Sequence, residues 1–106
     1  VWWVDFDPTK GNEQAGQRPA VIVSSLQSCR IRNGVVTVVP CTTKDHGLSF
    51  HPLIHLEPAR MSYAMCEQLK TISVVRLMRR INTALPANDI SAIKSSIRLM
   101  IDVSLN

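Results

Sequence analysis

Short β-branched and aromatic runs separated by polar breaks fill most of the chain, and only its last part changes to a helical spacing. Val1-Trp2-Trp3-Val4-Asp5-Phe6 favours an extended backbone. Trp2 and Trp3 would face opposite sides of that strand, one toward the core and the other toward an interface or an edge. Pro19 to Val23 is an apolar run of strand length. Asp7 to Gln17 between these runs carries Pro8, Gly11 and Gly16, so it reads as a loop long enough to be functional or disordered. Asn33-Gly34 is a hairpin signal ahead of the strongly β-forming Val35 to Val39. Pro40 lacks an N–H and predicts a strand edge or a bulge, and Pro52 does the same for a strand over Phe50 to Leu56. Tyr63 to Cys66 and Leu69 to Val74 read as two further strands, Val74 to Arg80 as a helical turn, and Ile81 to Leu85 as a last strand.

Pro86 suits the first turn of a helix, where its missing N–H has no partner to lose. Ile90, Ile93, Ile97, Met100 and Ile101 then share one helical stripe, so Pro86 to Asp102 is expected to be an amphipathic helix packed on the sheet. Several short strands and one closing helix predict a mainly β, α+β fold built on a small, strongly curved antiparallel sheet.

A chain of 106 residues is expected to form one domain, residues 1–106, with one modest core. Its hydrophobic fraction of 45% is ordinary for a globular protein and argues against disorder. No apolar run approaches the ~20 residues of a membrane helix, and no signal peptide opens the sequence. Cys29, Cys41 and Cys66 are odd in number and lack C-x-x-C spacing, which predicts reduced thiols in a cytoplasmic protein. The net charge of +4 permits either a nucleic acid or an acidic protein as partner.

Two features bear on metals. His51 and His55 have the i, i+4 spacing of a helical metal pair, but Pro52, the β-rich surroundings and the lack of a third ligand nearby argue against a metal site. Asp5 and Asp7 share a strand face and could in principle hold Mg²⁺.

Asp7-Pro8-Thr9-Lys10-Gly11-Asn12-Glu13-Gln14-Ala15-Gly16-Gln17-Arg18-Pro19-Ala20 closely resembles the N-terminal motif of the MazF/PemK toxins of bacterial toxin–antitoxin pairs. Val39-Pro40-Cys41-Thr42-Thr43 and Glu67-Gln68-Leu69-Lys70-Thr71-Ile72 resemble that family's second and third signatures, in the family's order. With the closing helix, the resemblance covers nearly the whole chain. Relatives usually have a few residues before the first strand, so a short N-terminal piece is expected to be missing. The resemblance implies an SH3-like barrel with a C-terminal helix, a homodimer, and an acidic antitoxin whose tail lies along the toxin's groove. It also implies a sequence-selective, metal-independent endoribonuclease with no cofactor. Such an enzyme cuts single-stranded RNA, chiefly messenger RNA, to 2′,3′-cyclic phosphate and 5′-hydroxyl ends.

The family's catalytic arginine and threonine match Arg18 and Thr42. A planar guanidinium suits phosphate oxygens, and a hydroxyl can donate to one. Glu13 is the third candidate, as orienter of Arg18 or acceptor of the 2′-hydroxyl proton. In one relative a histidine occupies the place of Asn12, which can only hydrogen-bond a phosphate. Glu67-Gln68 matches the family's acidic-Gln pair. Where some relatives place an arginine two residues earlier, this chain has Met65, which cannot donate a proton. Glu67 and Gln68 can instead read a base edge, since unpaired bases expose donors and acceptors. Gln14, Lys10, Lys44 and Lys70 complete the expected RNA-binding set. His46 near a phosphate would be a usable acid or base, but the motif does not require it. Two other readings fit the strands and the charge: a non-catalytic SH3-like module that binds RNA or a peptide, and a gyrase-directed toxin on the same barrel.

Overall fold

The computed structural model describes residues 1–7, 16–24, 34–57, 60–81 and 84–101. Its strands are β1 (Trp2–Asp5), β2 (Gln17–Ile22), β3 (Val35–Thr42), β4 (Leu53–Glu57), β5 (Arg60–Ala64), β6 (Lys70–Ser73) and β7 (Leu77–Arg80). Single 3₁₀ turns, Cys66–Gln68 and Val74–Arg76, precede β6 and β7, and helix α1 (Ala87–Met100) follows. All pairings are antiparallel, in the order β4-β5-β3-β2-β1-β7, with β6 also on β3. The described strands form a curved sheet that does not close into a barrel, since that path ends at β4 and β7.

β3 is the central strand because it serves three neighbours. Along one edge it pairs with β2. Along the other it pairs first with β6, over Val35 to Val38, and then with β5, over Cys41 and Thr42. Pro40 stands where the second edge changes partner. Expected at an edge or a bulge, it lies inside this central strand. Thr37 exchanges bonds with Val23 and Ser24 on the β2 side. By the alternation of an antiparallel ladder, the Pro40 nitrogen therefore faces the gap between β6 and β5, where no ladder donor is required. Its carbonyl accepts from the Met65 N–H at 2.9 Å.

Both faces of β3 are buried. Val36 and Val38 join Val4, Phe6, Ala20 and Ile72 in one apolar cluster. Val39 and Cys41 join Val21, Ile54, Leu56, Ala64, Cys66 and Ile93 in the other, beneath α1. The helix settles one residue off the expected stripe: Asp89, Ile93 and Ser96 are buried, whereas Ile90 and Ile101 are exposed. Asp89 takes an inward position in the first turn. Asp89 Oδ2 accepts from the His55 N–H at 2.7 Å and lies 3.0 Å from His55 Nδ1, fastening the first turn of α1 to edge strand β4.

The last strand also differs from expectation. One 3₁₀ turn suffices after β6, so β7 begins at Leu77, and Ile81, Ala84 and Leu85 lie outside it. Ile81 remains buried, its N–H bonded to the Val1 carbonyl at 2.9 Å.

Asp5 and Asp7 are structural. Asp5 Oδ1 accepts from the Asp7 N–H at 3.0 Å, and Asp7 Oδ1 accepts from the Gly16 N–H at 2.9 Å. The Gly16 carbonyl accepts from the Phe6 N–H at 2.9 Å, and Gly16 has a φ of 77° that favours glycine. Arg76 Nη1 donates to the carbonyls of Asp5 and Asp7, at 3.2 and 2.5 Å. These bonds fix Asp7 beside Gly16.

Candidate active site

Arg18 lies on β2 opposite Val4 of β1. The β2–β3 register pairs Ile22 with Val38, Val21 with Val39 and Ala20 with Pro40. Continued by two residues, it brings Arg18 opposite Thr42, where side chains of neighbouring strands stand side by side. Both line one pocket of about 320 Å³, together with Trp3, Gly16, Gln17, Pro19, Cys41, Thr43, Leu56, Arg60 and Ser62.

Thr42 is held from two directions. Its carbonyl accepts from the buried Ser62 hydroxyl at 2.9 Å. Its own Oγ1 accepts from the Lys44 N–H at 3.2 Å. A hydroxyl oxygen engaged as acceptor keeps its own hydrogen for donation. Thr42 is only 8% exposed. Cys41 lines the same pocket, but burial, with Cys66 beside it, pushes its thiol up to about 12. A thiol this reluctant to ionise is not a nucleophile at neutral pH.

The other expected residues fall elsewhere. Lys44 is an exposed neighbour of the pocket, and its backbone rather than its side chain touches Thr42. Lys70 extends its ammonium over the Phe6 ring, 5.2 Å from the centroid. Glu67 and Gln68 belong to the first 3₁₀ turn and are not among the described lining residues. The Glu67 carboxylate is gripped by His51, with Nε2 at 2.6 and 2.5 Å from its two oxygens. The rings of His46 and Phe50 meet the His51 ring edge-on, with centroids 5.5 and 5.6 Å away. His51 and His55 therefore serve separate carboxylates, Glu67 and Asp89, and do not share a ligand. Among the described residues no group of three or more His, Cys, Asp or Glu is placed to hold a metal. Lys10, Asn12, Glu13 and Gln14 lie outside the described residues.

Two polar pocket residues, Ser62 and Arg60, escaped the reading of the sequence. Ser62 is a hydroxyl in an ordinary strand context, and nothing in its spacing marks it. Arg60 begins β5 after a polar connection, and only the fold brings it across to Trp3.

The family model described as "PemK-like, MazF-like toxin of type II toxin-antitoxin system" matches residues 1–101. The chain belongs to the PemK/MazF toxin family. "Endoribonuclease toxin MazF" of Escherichia coli K12 is 44% identical over 71 residues, covering 67% of this chain and 62% of that protein. The chain thus spans less than two thirds of that relative's length. "Endoribonuclease MazF9" of Mycobacterium tuberculosis is 32% identical over 111 residues, covering 97% of this chain and 93% of the relative. Among solved structures, MazF of Deinococcus radiodurans superposes with a TM-score of 0.81 at 19% identity, over 93% of this chain and 89% of that one. A mycobacterial endoribonuclease in complex with its cognate antitoxin gives 0.79 at 15% identity, over 100% and 94%. These likenesses establish a MazF-like fold for the curved sheet and its helix. No helix among the described residues is long and apolar enough to cross a membrane.

Proposed function

We propose that this chain is a sequence-selective endoribonuclease toxin that cuts single-stranded RNA without a metal ion. The observation that carries the reading is the meeting of Arg18 and Thr42 in one pocket at the end of the β2–β3 ladder. Attack of the ribose 2′-oxygen on the adjacent phosphorus forms one P–O bond and breaks the bond to the 5′ oxygen. The products are a 2′,3′-cyclic phosphate and a 5′-hydroxyl, the leaving oxygen taking up a proton. Negative charge grows on the non-bridging oxygens, and a fixed guanidinium with a hydroxyl donor stabilises it. Arg18 and Thr42 supply these groups, and Glu13 accepts the 2′-hydroxyl proton. Lys10, Asn12, Gln14, Lys44 and Lys70 contact the RNA, and Glu67 and Gln68 read a base edge.

The native form is a cytoplasmic homodimer neutralised by an acidic antitoxin. The family's description, a solved neighbour in complex with its cognate antitoxin and the +4 charge support the antitoxin part of that reading. Its test is incubation of the purified protein with mixed-sequence RNA in excess EDTA, with cut sites and end groups mapped and Arg18→Ala run in parallel. Discrete cuts with cyclic phosphate ends, absent from the variant, are expected. No cutting by folded, antitoxin-free protein would leave an RNA-binding or gyrase-directed module instead.

A further inference from the structure

We infer that Arg60 and Arg79, gathered on Trp3, form a subsite that grips the RNA phosphates flanking the one being cleaved; this rests on the function proposed above. Arg60 comes from β5 and Arg79 from β7, strands far apart in the sheet order. Their guanidinium carbons lie 5.0 and 5.4 Å from the centroid of the Trp3 ring on β1. Arg79 is the cross-strand partner of Trp3. The indole Nε1 is buried and has no hydrogen-bond partner among the described residues, so Trp3 offers the site its ring and not its N–H. Guanidinium groups are attracted to the face of an indole.

Charge accounting gives this cluster its direction. Each carboxylate whose side chain is described is engaged elsewhere. Asp5 and Asp7 bond backbone N–H groups near the first loop, Asp45 bonds the Gly47 N–H, and Glu67 and Asp89 hold histidines. Among the described residues neither Arg60 nor Arg79 has a carboxylate within ion-pair distance. An aromatic face holds a guanidinium in place without using its N–H donors, which remain for a planar, bidentate acceptor such as a phosphate.

Position supplies the rest. Arg60 lines the pocket of Arg18 and Thr42. A second pocket, of about 300 Å³, is lined by Trp3, Gln17, Met78 and Arg79. The two pockets share Trp3 and Gln17, so a strand lying in the first continues over the tryptophan toward Arg79. Cationic groups at intervals beside an aromatic platform suit the backbone of a single strand.

The test uses a fluorescein-labelled, mixed-sequence 2′-O-methyl RNA, which the 2′-hydroxyl reaction cannot cleave, and measures its affinity against salt by anisotropy. Arg60→Gln and Arg79→Gln are each expected to weaken binding about tenfold and to lower the salt slope by about 0.7, as for one lost phosphate contact to a single strand. On cleavable RNA, KM should rise with kcat nearly unchanged, whereas Arg18→Ala should lower kcat. Melting curves confirm that each variant folds, and the exposed Arg79 serves if Arg60→Gln does not. An unchanged salt slope and KM would overturn the inference. So would a loss confined to kcat, which would place these arginines at the reacting phosphate. If wild-type protein binds with the predicted slope change in the variants yet cuts no RNA, the subsite stands and the endoribonuclease reading fails.

Discussion

Arg18 and Thr42, distant in sequence, come opposite each other when the β2–β3 register is carried two residues past Ala20 and Pro40. Both residues line the same pocket. The ladder therefore sets the spacing of the two groups assigned to the phosphate, and strand positions hold a site more firmly than loops do. Because the Lys44 N–H occupies the Thr42 oxygen, the role of Thr42 rests on its hydroxyl hydrogen. Thr42→Ser should keep most activity. Thr42→Val, similar in shape but without the hydroxyl, should lower kcat by about 10²-fold, as loss of a donor to a developing oxyanion does. A single-turnover assay decides it, and equal rates for Val and Thr would remove Thr42 from the chemistry.

Glu67 and His51 give a second prediction. The His51 side chain is 2% exposed and that of Glu67 28%. Their contact ties the 3₁₀ turn to the segment leading into β4. Breaking a buried pair from one side costs about 3–5 kcal/mol, and the partial exposure of Glu67 reduces this. His51→Ala should therefore lose about 2 kcal/mol in urea unfolding. Glu67→Gln keeps an acceptor for His51, and its kcat should stay within about threefold of wild type, far less than loss of a general base. A hundredfold fall in the kcat of Glu67→Gln would make Glu67 a proton-transfer group after all.

The sequence made most of this legible, for definable reasons. The β-branched runs announced six of the strands to within a few residues, because packing on both faces of β3 agrees with local preference there. The misses came where tertiary structure overrode the local signal. Pro40 looks like a strand end, and only the change of partner from β6 to β5 lets a proline sit in a central strand. Asp89 lies between helical apolar positions and gives no sign that it will be buried. The motifs pointed to Arg18 and Thr42, whereas Arg60 and Arg79 follow no motif and become visible only once Trp3 collects them.

Asp89 gives the third prediction. Its carboxylate satisfies the His55 N–H where α1 meets β4, close to the positive end of the helix. Asp89→Ala leaves that backbone donor with no partner and should cost about 2 kcal/mol. For a domain of this size the melting temperature should fall by roughly 8–16 °C. Asp89→Asn keeps an acceptor oxygen and should lose less. Calorimetry on the two variants checks the order, and an unperturbed Asp89→Ala would mean that α1 is held by its apolar contacts alone.

Cys41 gives the last prediction, through linkage. Burial first, and then neighbouring Cys66, lift its thiol from an ordinary 9.0 to about 12. The unfolded chain thus releases this proton at a lower pH than the folded one. Between about pH 9 and pH 12 the folded state binds more protons, so stability falls as pH rises, with a slope approaching 1.4 kcal/mol per pH unit. Below pH 9 both states hold the proton, and Cys41 contributes no pH dependence. Urea unfolding from pH 8 to pH 10.5 should show the decline. Cys41→Ala should be less stable throughout, by about 1 kcal/mol for the sulfur-sized gap, and should show a shallower decline, since Cys66 is lifted as well, to about 11. Iodoacetamide at pH 8 should label the Cys41 peptide only after denaturation. Rapid labelling of Cys41 in folded protein would show that the thiol ionises in place, and would sink both the slope and its exclusion as a nucleophile.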